Sequence, residues 1–352
     1  MKINEIIQGD CLEVMKSFPD NHFSAIVTDP PYGISFMGKG WDHEIPGIEY
    51  WKECIRITKP GGHLLAMGGT RTFHRLTCAI EDEGWEIRDC LMWIYGSGFP
   101  KSHNHFGIEG YGSALKPAYE PIIMAMKPLD GTFAQNAEKW GQAGINIDGC
   151  RIGFAEQKRC AGTRTYKAGT LAGGLNGEGV LQLAPHDGKG RWPANVMFDK
   201  EAGALLDEQS GVLKSGGGDK GNKTQNGGYG KGYGYIKRDS QGSTGGASCF
   251  FYCAKASSRE RNEGLPEGKR STHPTVKPIK LMEYLIKLVM PPKDGLLLDP
   301  FAGSGTTIIA AKRLGFNAIG IEKEPQYCEI ARSRIIKHSD TDDQMELLNE
   351  DK

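Results

Sequence analysis

Leu298-Asp299-Pro300-Phe301-Ala302-Gly303-Ser304-Gly305-Thr306-Thr307 is the stretch whose reading decides the fold. The apolar residues Gly295–Leu298 before it read as a strand, and Thr306–Leu314, stopped by Gly315, reads as a helix. Between the two, glycines let the backbone turn tightly and approach a ligand at the helix N-terminus. A second strand is expected at Asn317–Ile321, and Glu322 stands at its end, 19 residues after Gly303. A carboxylate in that place can accept hydrogen bonds from both hydroxyls of a ribose. Ile308 occupies the third glycine position of the dinucleotide fingerprint, which disfavours a close-packed nicotinamide site. A lone Gly-x-Gly turn is weak evidence; the readable strands and helix around it are what give it weight.

Working outward, the N-terminal part repeats the same alternation. Ile3–Gln8 reads as a strand ending in Gly9-Asp10, Cys11–Phe18 as a short helix, and Phe23–Thr28 as a strand. A helix around Tyr50–Thr58 is expected to break at Lys59-Pro60-Gly61-Gly62. Strand His63–Met67, helix Thr72–Glu83, strand Trp85–Tyr95 and strand Glu120–Met126 follow. Ile279–Val289 reads as an amphipathic helix closed by Pro291-Pro292. The rhythm predicts an α/β fold: a doubly wound, mainly parallel, Rossmann-like sheet with helices on both faces, assembled from both ends of the chain.

The texture changes between about Leu129 and Ser271, where Gly, Asn, Lys and Ser dominate and periodic apolar segments are few. Ser215–Gly246 is close to low complexity. There Tyr229, Tyr233 and Tyr235 are interleaved with Lys231, Lys237 and Arg238, a composition suited to stacking and phosphate pairing, though equally that of a plain surface loop. The expected division is therefore 1–128, 129–271, 272–338 and an acidic tail over 339–352. The formal charge of zero hides an uneven distribution: residues 156–275 hold 18 Lys and Arg against 12 Asp and Glu. Nine scattered cysteines without a Cys-x-x-Cys pair read as free thiols in a reducing compartment, with no metal site. No apolar run approaches the roughly 20 residues that cross a bilayer, so no membrane association is expected.

Asp29-Pro30-Pro31-Tyr32 lies at the carboxyl end of the Phe23–Thr28 strand, where open α/β sheets place their ligands. Two prolines fix the backbone and remove two N–H donors, leaving carbonyls as the local acceptors. Asp29 adds a carboxylate and Tyr32 an aromatic face. The set suits an amino group attached to a flat ring. Taken alone, the same four residues would also serve as an ordinary turn.

Asp29-Pro30-Pro31-Tyr32 followed by Asp299–Thr307 resembles the amino-methyltransferases of DNA, in the β group, whose catalytic motif precedes the cofactor motif. The likeness covers most of the chain outside Leu129–Ser271, with Gly9-Asp10, Lys59–Gly62 and His273–Pro278 as supporting matches. It implies S-adenosylmethionine as cofactor and double-stranded DNA as partner, with no metal. It implies that Asp29, Pro30, Pro31 and Tyr32 are catalytic, and that Asp10, Asp299, Pro300, Phe301, Ala302, Gly303, Ser304, Gly305, Thr306 and Glu322 surround the cofactor, Asp10 at its adenine and Glu322 at its ribose. Thr275 and Lys277 would lie near its methionine end. Residues 1–128 would then be the catalytic half, 129–271 the target-recognition region and 272–338 the cofactor-binding half. A homodimer, a cognate restriction endonuclease, and a bacterial, prophage or phage protein of the cytoplasm fit the same resemblance.

The chemistry it implies is direct transfer to a flipped base. Asp29 and the Pro30 carbonyl would hold the NH2 while Tyr32 stacks on the ring. In the family Asp before Pro-Pro-Tyr is usual for adenine N6 and Ser for cytosine N4, so adenine is expected, with cytosine N4 as the alternative. An RNA base or a protein amide is a further rival, usually marked by Asn in place of the Asp. A non-catalytic DNA-binding scaffold would have lost Asp29, Tyr32 or Glu322. Phe36–Asp42 reads either as a lid or as a loop, and Arg191-Trp192-Pro193 either as a DNA contact or as packing.

Overall fold

Before the Gly-rich middle the chain lays down five strands: Glu5–Gln8 (β1), Phe23–Thr28 (β2), Thr58–Met67 (β3), Glu86–Ile94 (β4) and Tyr119–Met126 (β5). β2 is buried at all six positions, which a strand achieves only when both faces of its sheet are covered. Helices Cys11–Lys16 (α1), Ile48–Ile57 (α2), Phe73–Asp82 (α3) and Phe133–Trp140 (α4) lie between and after these strands. The computed structural model describes residues 3–34, 42–96, 98, 107–153, 163–166, 179–182, 190–214, 236–237, 244–254, 276–292 and 295–349. Two compact units emerge: Met1–Cys150, Ala194–Gly203 and Tyr252–Lys352 form one, Arg151–Pro193 and Ala204–Phe251 the other. The change of composition at residue 129 is not a boundary between them.

In the second unit Thr163–Tyr166 (β6) and Gly179–Gln182 (β7) pair antiparallel. The chain returns to the first unit with Val196–Asp199 (β8), and helix Lys200–Ser210 (α5) leads out of it again. Leu213–Lys214 (β9), Ile236–Lys237 (β10) and Thr244–Gly245 (β11) complete a three-stranded sheet, β10-β6-β7, and a two-stranded one, β11-β9. Arg191 stitches this unit: it donates to the Cys249 carbonyl at 2.8 Å, and its guanidinium lies 4.6 Å from the Phe250 ring centre. Trp192 beside it is 65% exposed.

The remaining elements are Tyr252–Ala254 (β12), Ile279–Val289 (α6), Leu296–Asp299 (β13), Thr306–Arg313 (α7), Asn317–Glu322 (β14) and Pro325–Asn349 (α8). They complete a nine-stranded sheet in the order β1-β14-β13-β2-β3-β5-β4-β8-β12. Every pairing is parallel except those of β5, which runs antiparallel to both β3 and β4. Strand alternation splits the core in two. Ala25, Val27, Leu65 and Met67 face α6 and α7, whereas Ile26, Leu64 and Ala66 face α1, α2 and α3. α6 is the amphipathic helix expected: eight of its eleven residues are buried, and Lys280, Glu283 and Lys287 form the single polar stripe that is left.

Helix α2 stops at Ile57 with Thr58 as its cap, as expected ahead of Lys59-Pro60-Gly61-Gly62, and this four-residue segment is in addition part of a strand. It lies inside β3, where the partners of β2 jump from Thr58 to His63. The bulge seats Asn136 of α4, fully buried, whose amide donates to the Pro60 and Gln142 carbonyls at 2.9 and 2.6 Å. A Cβ at Gly61, whose φ is +73°, would fall 2.6 Å from that amide nitrogen. This contact ties residues 130–142 into the first unit.

Candidate active site

The carboxyl ends of β1, β14, β13, β2 and β3 lie side by side because these strands are parallel neighbours. β13 ends at Asp299, which is 2% exposed and faces inward. Its Oδ1 accepts from the Thr28 hydroxyl at 2.7 Å and from the Phe301 amide at 3.1 Å. The two sequence motifs are thereby joined at the ends of adjacent strands. Burial raises the Asp299 pKa to about 6, against the opposing effect of the Thr307, Thr28 and Phe301 hydrogen bonds.

The glycine turn then curls over β14. Gly303 and Gly305 have φ of +51° and +76°, which only glycine adopts readily. Glu322, half-buried at the end of β14, accepts from the Gly303 amide and from the Glu324 amide, both at 2.8 Å. Burial, the largest influence, lifts its pKa while those backbone donors pull it down. From below, the fully buried Arg334 of α8 donates to the Ser304 carbonyl, to the Ser304 hydroxyl at 2.9 Å and to the Thr306 hydroxyl at 3.1 Å. Ile308, where a third glycine would stand in a dinucleotide site, is buried over Gly320.

Asp29-Pro30-Pro31-Tyr32 leaves β2 in a turn fastened by two groups. Asp42, 2% exposed, accepts from the Tyr32 and Gly33 amides at 2.6 and 3.1 Å, and the Thr72 hydroxyl donates to the Tyr32 carbonyl at 2.7 Å. The Tyr32 hydroxyl donates within a cluster of two carboxylates, 2.8 Å from Asp29 Oδ1 and 3.2 Å from Glu120 Oε2. Lys277, just before α6, completes the cluster: its Nζ lies 2.6 Å from Glu120, 3.2 Å from Asp29 and 3.1 Å from the Tyr32 oxygen. It also sits 5.4 Å from the centre of the Tyr32 ring. Burial raises the Asp29 pKa and Glu120 raises it further, with Lys277 opposing. Tyr32 is held neutral by burial and by both carboxylates. Burial works against the Lys277 charge, yet Asp29 and Glu120 outweigh it and lift its pKa above the usual range.

The structure thus gathers Asp29, Tyr32 and Lys277 into one cluster and Gly303, Gly305 and Glu322 into a second, bridged by Thr28 and Asp299. Asp10 caps α1, accepting from the Leu12 amide at 3.1 Å, and its other oxygen lies 3.3 Å from Lys323. The side chains of Asp299, Ser304 and Thr306 hold the turn from within. Pro30, Pro300 and Ala302 are buried beneath it, while Pro31 and Phe301 keep part of their surface. Thr275, Phe36–Trp41, Tyr229, Lys231, Tyr233, Tyr235 and Arg238 lie outside the described residues. Glu120, Asp42 and Arg334 escaped the sequence reading as site residues. No local pattern marks them: Glu120 meets Tyr32 and Lys277 only across 88 and 157 residues, Arg334 meets Ser304 across 30, and Asp42 reaches back ten residues to the Tyr32 amide outside any strand or α-helix.

The profile of the N6 and N4 DNA methylases matches residues 23–333. Type II methyltransferase M.HinfI of Haemophilus influenzae is 23% identical over 99% of this chain and 72% of its own length. Type II methyltransferase M2.DpnII of Streptococcus pneumoniae is 48% identical over 69 residues, 20% of this chain and 25% of that protein. Among solved structures, the complex of M1.HpyAVI with S-adenosylmethionine covers 94% of this chain and 98% of its own, at 18% identity and a TM-score of 0.45. With its Asp-Pro-Pro-Tyr turn preceding its glycine turn along the chain, and with the profile spanning both, the chain belongs to the N6/N4 family of DNA methylases.

Proposed function

We propose that the chain transfers a methyl group from S-adenosylmethionine to N6 of adenine in double-stranded DNA, acting on a base turned out of the helix. One observation carries the reading: Asp29 stands one strand away from the glycine turn, and the Thr28–Asp299 hydrogen bond locks the two together. S-adenosylmethionine is the cofactor of this family, and when bound it supplies an electrophilic sulfonium methyl. The residues present fit it. Each oxygen of Glu322 accepts one backbone N–H and keeps a lone pair for a ribose hydroxyl. Gly303 and Gly305 leave the turn without side chains, and Asp10 stands at the next strand end.

In a duplex the target amine is paired and inaccessible, so the base has to be extruded. Stacking on an aromatic ring such as Tyr32 contributes roughly 1–3 kcal/mol toward that cost. The exocyclic nitrogen is a poor nucleophile because its lone pair is delocalised into the ring. Asp29 accepting one N–H and the Pro30 carbonyl the other favours an sp3-like nitrogen with its lone pair free for attack. The gain comes from positioning and electrostatics, with no covalent bond to the enzyme. Adenine rather than cytosine rests on Asp29 as the first residue of the motif.

The test is methyl transfer to duplex DNA by Asp29→Ala. Loss of more than about a hundredfold in rate, the scale of a removed preorganised acceptor, is expected with cofactor affinity nearly unchanged. Turnover at the wild-type rate would overturn the role of Asp29.

A further inference from the structure

We infer that Glu120 is a positioning residue for this reaction: it takes over the Lys277 ammonium and the Tyr32 hydroxyl so that Asp29 can exchange them for the target amine. The inference rests on Asp29 being the amine acceptor. Asp29 is engaged on both oxygens, its Oδ1 by the Tyr32 hydroxyl at 2.8 Å and its Oδ2 by Lys277 at 3.2 Å. Both donors have Glu120 as an alternative partner, at 3.2 and 2.6 Å. The hydroxyl therefore sits closer to Asp29, and the ammonium closer to Glu120.

An arriving NH2 has to displace donors from Asp29. An ammonium left without a partner in a site where Lys277 is only 10% exposed would carry a large desolvation cost. Glu120 removes that cost. The ammonium stays paired where it is, and rotation about the Tyr32 C–O bond moves its proton from Asp29 to Glu120. The topology explains where this second carboxylate comes from. β5 is antiparallel to β3, so its N-terminal end, with Glu120, lies at the edge where the parallel strands end. The charged and titratable groups facing Asp29 are Lys277, Glu120, Tyr32 and, from β13, Asp299; Tyr95 at the end of β4 faces Glu120 and Lys277.

Glu120→Gln keeps the size of the side chain and removes its charge. Single-turnover methyl transfer to duplex DNA is followed across pH with saturating S-adenosylmethionine, whose affinity is measured separately by calorimetry. With Lys277 left on Asp29 alone, the plateau rate is expected to fall about tenfold, the equivalent of one pKa unit of added Asp29–Lys277 pairing. The acidic limb should move to lower pH, because the like charge beside Asp29 is gone. Adding Lys277→Met to Glu120→Gln should raise the plateau again and move the acidic limb to higher pH. A Glu120→Gln variant with the wild-type rate and profile would overturn the inference. So would a slow variant whose acidic limb stays in place and whose rate the second change does not restore; Glu120 would then be only a strut. If Asp29→Ala itself methylates DNA normally, the acceptor reading fails first, whatever Glu120 does.

Discussion

Asp299 shows how one side chain can be committed to holding a site together. Thr28 and Phe301 both donate to its Oδ1, so an amide oxygen in that place keeps those two bonds of the three that include Thr307. A carboxyl whose folded pKa is about 6 against an ordinary 3.8 favours folding when protonated, and that contribution is lost as pH rises through 6. Asp299→Asn is therefore expected to melt above wild type at pH 8, by a shift equivalent to about 1–3 kcal/mol. The difference should close between pH 6 and pH 4, as read by thermal denaturation at a series of pH values. Glu322 makes the opposite case, with acceptor capacity left over after its two backbone bonds. Glu322→Ala should weaken S-adenosylmethionine binding at least tenfold, since charge-assisted hydrogen bonds contribute about 1.5–3 kcal/mol. Unchanged affinity by calorimetry would mean the ribose lies elsewhere.

At the scale of elements, the glycine turn depends on the strand beneath it. A Cβ at Gly320 in β14 would fall 2.6 Å from Ile6 Cδ1 and 2.8 Å from Ala302 Cβ, closer than packed carbons approach. Gly320→Ala should lower stability by about 1–3 kcal/mol, the usual cost of overpacking, and weaken the cofactor with it. A melting temperature equal to wild type would show that the turn shifts freely. The same scale divides what the sequence made legible from what it did not. Phe23–Thr28 and Ile279–Val289 could be bounded to the residue, because each is a strongly apolar run ended by proline or by a turn. β8 and β12 are four and three residues long and offer no window in which a period can be read. Lys59–Gly62 was legible as the stop of α2 but not as a bulge inside β3, because a glycine bulge and a helix stop share a composition; only Asn136, 74 residues after Gly62, reveals the bulge. Asp29, Tyr32 and Glu322 could be proposed from the sequence because they sit in or beside motifs. Glu120 was not, since a strand glutamate becomes part of a site only through the direction of its strand.

Across the whole molecule, the two halves of the site come from opposite ends of the chain and meet where β2 lies beside β13. The glycine turn and Asp10 lie toward β14 and β1, while the carboxylate cluster lies toward β3 and β5. A zero net charge places no basic field over the whole surface, so DNA contact has to draw on local charge such as the surplus over residues 156–275. The account is tested most directly by incubating the protein with methyl-labelled S-adenosylmethionine and mixed duplex DNA, then digesting the DNA and separating its nucleosides. Label in N6-methyl-2′-deoxyadenosine is the predicted result. Label in N4-methyl-2′-deoxycytidine would contradict the choice of base, and label in RNA or protein with none in DNA would contradict the central claim.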